Sequence, residues 1–368
     1  AQLNLAKKAI KMGMDQHPQN VELMLLKSEI LLFDGEHKEA EDLLVEIERI
    51  SPEHEEIFLQ RANIFSKKKN HPKAIKLLEK ALELTDEPIE IWNLIGMEYL
   101  FLEDYIKAKQ YFYQCIKENS FDYQSLYNLL YCYEQLGENT EAINTLNNLL
   151  EINPYSEVAW HQLGKIYIRI NKFEEALSAL EFAIISDDCF TGAYIEKGKL
   201  LEKMGRINEA IDNYVLSLNF NDPNAFVNHR IGLCHLKLGN DKLAVKYLEE
   251  SIKLEPNHEN SWLALIDFLI DTNDYFKAKY YVNKSLQSNS DSRELWKKSA
   301  LIHFHLNFYM ETSVACETTI NLGDHNADIW TLWVDSLMLI DDWQRALEIG
   351  QKALQFHHKN PSFLFRLA

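Results

Sequence analysis

One small residue returns every 34 positions along this chain: Ala40, Ala74, Ala108, Ala142, Ala176, Ala210, Ala244, Ala278, Thr312 and Ala346. A column held at Ala in nine of ten places marks a point where two backbones approach too closely for a larger side chain. Counted from Val21 as position 1, this is position 20, and ten complete frames begin at 21, 55, 89, 123, 157, 191, 225, 259, 293 and 327 without insertion or deletion. A period this strict restricts the chain to a tandem array in which each unit stacks on its neighbours.

The other columns say what each unit is. Position 4 holds Trp92, Trp160, Trp262, Trp296 and Trp330, with Met24, Phe58, Leu126 and Tyr194 elsewhere. Position 8 is Gly96, Gly164, Gly198 and Gly232, or Ser28, Ala62 and Ala300, and position 11 is often aromatic, as at Phe65, Tyr99, Tyr133 and Tyr167. Position 32 carries Pro52, Pro154 and Pro256, or Asp and Ser, which end one helix and open the next turn. Only 12 Gly and 8 Pro occur in 368 residues, and Leu, Ile, Ala, Glu and Lys abound. The spacing predicts an all-α chain of helical hairpins, with helix A over the first half of each unit and helix B over the second.

These columns resemble the tetratricopeptide repeat, W-x2-L-G-x2-Y followed by A-x3-F/L, A and P, over essentially the whole chain. The resemblance implies a superhelical α-α solenoid with helix A on the concave wall. Residues 1 to 20 fit helix B of a preceding unit, with Ala6, Ile10 and Pro18 in register, and Pro361 to Ala368 fit the start of an eleventh, placing Leu364, Leu367 and Ala368. The array is expected to continue at both ends, and uncapped terminal faces to self-associate. Leu130, Ile266 and Val334 at position 8, Asn228 at position 4 and Thr312 at position 20 depart from the pattern. Bulk at position 8 is expected to widen the hairpin and to make the units from 259 onward less regular.

Charge and motifs exclude most other functions. Lys and Arg number 38 against 56 Asp and Glu, a formal charge of −18, which disfavours nucleic acid and anionic membranes as partners. No apolar run approaches the ~20 residues of a membrane span. None of the phosphate-binding, dinucleotide, nucleophile-elbow or HExxH motifs occurs, so no catalytic residue is expected. Cys115, Cys132, Cys189, Cys234 and Cys316 are scattered without CxxC spacing and read as small hydrophobes in a reducing, cytoplasmic setting. His235 and His303 stand at position 11 and read as packing residues, His357 and His358 fall in a turn, and no metal site or cofactor is expected. The carboxylate pairs Glu174 with Glu175, Asp187 with Asp188 and Glu249 with Glu250 read as solvated faces and helix-end charges.

The ligand-facing positions that the resemblance implies are 2, 5, 9, 12 and 13 of helix A. Lys165 with Arg169, and Lys199 with Lys203, are i, i+4 pairs in successive units; Lys237 continues the row, with His161, His229 and Arg230 beside it. Helix B supplies Glu174, Glu175, Glu181, Asp187, Asp188, Glu209 and Asp212, so base is expected inside and acid outside. Phe101, Tyr127 and Tyr131 occupy groove positions just N-terminal, with Asn93 and Asn128 able to bond a peptide backbone. Together these predict a concave peptide-binding groove that prefers an acidic protein segment. The carboxylate clamp of chaperone-binding members is absent, since Asn128 at position 6 follows Asn93 and Met97 where Lys and Asn are needed. The asparagine ladder at position 6 is absent too. The alternative is the recruiting arm of a larger enzyme or of a secretion or membrane-associated assembly; RNA binding is disfavoured by the 34-residue period and the acidic total.

Overall fold

The structure, a computed structural model, describes residues 2–220 and 223–357, with side chains from residue 5 onward. The helices in the first half are α1 Gln2–Gln16, α2 Val21–Asp34, α3 His37–Ile50, α4 Glu55–Lys67, α5 His71–Leu82, α6 Ile89–Phe101, α7 Tyr105–Glu118, α8 Tyr123–Leu136 and α9 Asn139–Ile152. Then come α10 Glu157–Arg169, α11 Phe173–Ser186, α12 Thr191–Lys203, α13 Ile207–Phe220, α14 Ala225–Lys237 and α15 Asp241–Leu254. The last are α16 Glu259–Asp271, α17 Tyr275–Ser288, α18 Arg293–His305, α19 Tyr309–Asn321, α20 Ala327–Met338 and α21 Trp343–Phe356. No strand occurs among the described residues. Even-numbered helices are the A-helices, and their first residues recur every 34 positions from Val21 to Ala327. The chain divides into two compact units, one ending at Ile166 within α10 and the other starting at Tyr167. Residues 361–368, read above as the start of an eleventh repeat, lie outside the described residues, as does His358.

Three contacts repeat along the array and explain the conserved spacing. The position-20 residues are all buried, none more than 4% exposed, and Thr312 satisfies its hydroxyl on the carbonyl of Phe308 at 2.9 Å. Position 8 faces position 24 of the same hairpin: a Cβ on Gly96 would stand 2.7 Å from Phe112, on Gly198 2.5 Å from Tyr214, and on Gly232 2.8 Å from Leu248. The position-4 indole donates to the carbonyl at position 32 of the preceding repeat, at 2.8 Å for Trp160 to Pro154, Trp262 to Pro256 and Trp296 to Ser290. Each such bond ties one hairpin to the next. Asn228, which replaces the ring at this position, is buried and donates instead to the Asn224 carbonyl at 3.0 Å.

A fourth column escaped the sequence analysis. Position 15, in the turn between helix A and helix B, has positive φ in all ten repeats: Gly35, Gly137, Gly205 and Gly239, together with Lys69, Glu103, Asn171, Asn273, Asn307 and Asp341 at 57–63°. The left-handed residue turns the chain back into helix B, so Gly, Asn and Asp dominate there.

Bulk at position 8 opens the hairpin, as the volume argument requires. The α8–α9 hairpin, with Leu130, is the most open of those within one unit, and α8 packs more closely on α7 than on α9. The α16–α17 hairpin, with Ile266, is more open than α12–α13, α14–α15 and α18–α19. The α20–α21 hairpin, with Val334, is also more open than those three, although position 24 of its repeat is the buried Gly350. The irregularity expected from residue 259 onward is therefore confined to single hairpins: α18–α19 closes again, because Ala300 restores a small residue at position 8.

Candidate functional site

The A-helix surface is the part of each repeat left over after packing. Position 13 is exposed in every repeat and position 9 is never buried, because both lie opposite the stripe that meets helix B. Of the twelve residues singled out above, Phe101, Tyr127, Asn128, Tyr131, His161 and Lys165 lie in the first unit, and Arg169, Lys199, Lys203, His229, Arg230 and Lys237 in the second.

In the first unit the aromatic residues are open. Phe101 is 59% exposed and stacks on His71 at 5.1 Å, while His71 holds the buried Glu98 at 2.8 Å. Tyr127 is 42% and Tyr131 46% exposed, the latter meeting Tyr105 edge-on at 6.1 Å. The amides are less free than expected: Asn93 donates to Ser125 Oγ at 2.7 Å and Asn128 to Met97 Sδ at 3.4 Å. His161 is half-buried beside Gln162. Lys165 is exposed and has no ion-pair partner among the described residues.

The second unit changes the meaning of the basic row. Glu202, whose side chain is 3% exposed, receives Arg230 at 2.8 Å, Lys237 at 3.3 Å and the Tyr214 hydroxyl at 2.8 Å. A buried carboxylate is costly unless its lone pairs are filled, and these donors fill them across α12, α13 and α14. Burial and the neighbouring carboxylate hold the Tyr214 hydroxyl protonated, well above the ordinary phenol range. Lys199 pairs with Glu196 at 2.9 Å and lies 5.0 Å from the Phe226 ring centre. Lys203 bonds the Asn171 side-chain oxygen at 3.2 Å and covers Phe173 at 4.7 Å, with no carboxylate partner among the described residues. Arg169 is exposed at the end of α10.

Two expectations need correction. His229 is not beside the row but 8% exposed, bonded to Ser261 Oγ at 3.1 Å, and burial pushes its pKa down to about 4. It is a packing residue at the α14–α16 contact. Acid is also not confined to helix B: Glu196, Glu202 and Asp267, the last paired with Lys298 at 2.6 Å, stand on A-helices. The charge alternates because neighbouring A-helices neutralise one another. The signal for Glu202 lay in position 12, which reads Leu, Ile, Phe or Met in seven of ten repeats, so a carboxylate there is out of place.

His303 is buried and bonded to Ser299 at 3.2 Å, and His235 stacks on Tyr247, as packing residues at position 11 do. Asp187, Asp188 and Cys189 set one ligand atom each within 4.8 Å of one another on the turn after α11. Cys189 is exposed in that turn and serves both carboxylates, its thiol donating to Asp188 and its backbone N–H to Asp187. No described helix is long and apolar enough to cross a membrane.

The profile of the Chs5p-Arf1p-binding proteins matches residues 8–186, and a tetratricopeptide repeat profile matches residues 191–222 and 227–258. The chain is 23% identical over 197 residues to the tetratricopeptide repeat-containing protein trd-1 of Caenorhabditis elegans, covering 54% of this chain and 25% of that protein. It is 24% identical to the BBSome complex member BBS4 of Bos taurus, covering 49% and 34% respectively. The chain thus spans a quarter to a third of the length of these relatives. Among solved structures, the anaphase-promoting complex hetero-tetramer Cut9-Hcn1 aligns with all of this chain (100%) and 92% of its own, at 14% identity and a TM-score of 0.40. The 34-residue helical hairpins, the Ala column between their helices and the two profile matches show an array of tetratricopeptide repeats.

Proposed function

We propose that the chain is a non-catalytic protein-interaction scaffold whose A-helix faces each hold a segment of a partner protein. The observation that carries this is the position-13 column, exposed in all ten repeats and occupied by side chains that reach outward, among them Phe101, Arg169, Lys203 and Lys237. Within each unit such a row costs nothing to the fold and offers a lining to a chain laid along it. The relative named as a member of the BBSome supports a place within a larger assembly.

In the second unit the occupant is an acidic segment. Glu202 carries one charge against the two of Arg230 and Lys237, and Glu196 offsets Lys199, so the attraction centres on Lys203, whose ammonium rests on Phe173, together with the surplus positive charge of Arg230 and Lys237. In the first unit the exposed Tyr127 and Tyr131 offer an apolar anchor point.

The test is a display selection of random peptides on the purified protein and on the Lys199→Glu/Lys203→Glu variant, with affinities then read by fluorescence anisotropy at graded salt. Reversing the half-buried Lys199 and the exposed Lys203, at roughly 1 kcal/mol each for lost attraction plus new repulsion, weakens an acidic peptide about thirtyfold. Selected peptides without acidic enrichment, or an affinity indifferent to the double reversal, would refute the acidic preference.

A further inference from the structure

A second groove, of opposite chemistry, crosses α2, α4 and α6 in the first unit. It encloses about 510 Å³, and its lining carries four carboxylates, Glu29, Glu56, Glu90 and Glu98, against a single ammonium, Lys67. Its floor is apolar, and Phe33, 77% exposed, stands in its wall. Acidic groups alone are commonly just a solvated face. Here one buried polar atom points to a ligand.

Gln60 is 7% exposed and lines the same groove, and its side-chain oxygen has no hydrogen-bond partner. The amide orientation is fixed, since the nitrogen donates to the Leu25 carbonyl at 3.3 Å and to Glu56 Oε1 at 3.0 Å, both of which can only accept. The orphan is therefore an acceptor, and an unfilled buried acceptor is costly to leave in place. Burial, with Glu29 nearby, lifts the pKa of Glu56 above the usual carboxylate value, although Gln60 donates to it.

We propose that this groove takes an arginine side chain from a basic protein segment. A guanidinium presents five N–H donors in one plane, enough to serve the Gln60 oxygen and adjacent carboxylates together, and its weak hydration suits a half-buried site. Its methylene stem matches the apolar floor, and its plane can rest on Phe33. An ammonium offers a point charge without that fork. The site lies in the other unit from Lys199 and Lys203 and has the opposite sign, so it stands or falls independently of the acidic-segment proposal.

The experiment titrates a fluorescein-labelled peptide containing leucine followed by two arginines, and its two-lysine counterpart, against the full chain. The arginine peptide is expected to bind at least fivefold tighter than the lysine one. Glu29→Gln/Glu90→Gln, both exposed positions that leave the core untouched, weakens it at least tenfold, and Gln60→Leu at least fivefold with the circular dichroism melt as the check on folding. The control is Glu39→Gln/Glu46→Gln on the exposed side of α3, which removes the same net charge. The proposal is overturned if the control weakens binding as much as the groove variant, if lysine and arginine bind alike, or if folded Gln60→Leu binds as the parent does.

Discussion

Adding one methyl group at Gly198 tests the packing rule at position 8. The new Cβ would lie 2.5 Å from Tyr214 Cε1 and 2.8 Å from both Cδ1 and Cζ, where carbon atoms normally rest at about 3.5–4.0 Å. The ring would have to retreat by roughly 1 Å to restore such a contact. It has nowhere to go, being fully buried, with its hydroxyl fixed on Glu202 and Glu202 fixed in turn on Arg230. Ala is a better helix former than Gly by about 1 kcal/mol, whereas overpacking costs about 1–3 kcal/mol and displacing a hydrogen bond to a charged group about 1.5–3 kcal/mol. The net effect expected of Gly198→Ala is a local destabilisation of about 1.5–5 kcal/mol, against a gain of the same residue change at an unobstructed helix position.

Array proteins open locally, so a single melting midpoint would blur this effect. Hydrogen exchange read by mass spectrometry, comparing residues 191–220 with the distant α16–α17 hairpin, resolves it. The chain supplies its own rescue design: Ala62 and Leu78 occupy positions 8 and 24 of another repeat, both buried. Gly198→Ala/Tyr214→Leu copies that pair and should recover the steric part of the loss, leaving only the missing bond to Glu202. Unchanged protection over residues 191–220 in the single variant, or a double variant no better than the single, would show that position 24 does not dictate the glycine.

Other consequences concern charge and thiols. Glu202→Leu leaves Arg230 and Tyr214 without their acceptor, and removal of one partner of a buried ion pair costs about 3–5 kcal/mol, so exchange should rise across α12–α14; an unperturbed region would mean that the pairs are surface-like. His229, whose folded pKa is lowered to about 4 from 6.5, contributes stability that is complete above pH 6.5 and lost as pH falls through about 4. His229→Gln should therefore flatten the acid limb of a pH–stability curve measured by urea titration, and an identical limb in both proteins would remove His229 as its source. Among the thiols, burial pushes Cys132, Cys234 and Cys316 up to about 12, while Cys189 alone is exposed. Native labelling at alkaline pH, needed because Asp188 holds the Cys189 thiol above its usual range, should modify Cys189 first, with the other four reacting only in denaturant.

Much of the fold was legible because packing in an array repeats. Position 20 has to be small wherever two helices cross at their closest, and the strict period let that rule be read ten times over, with Thr312 as its one exception. The positive-φ column at position 15 was equally legible in Gly35, Asn171 and Gly239 but hidden by Lys69 and Glu103, which occupy the same conformation against their preference.

The candidate site was legible only in part. The repeat resemblance implied that positions 9 and 13 face outward, and the 34-residue register put Lys165, Lys199, Lys203 and Lys237 on them. Neither determined whether those charges are available. Only the tertiary structure brought Glu202 under Arg230 and Lys237, closed Ser261 over His229, and left the Gln60 oxygen without a donor. The reason is physical: face is a property of one helix, whereas neutralisation and burial depend on distances between helices 28 to 35 residues apart in sequence, which no local pattern encodes.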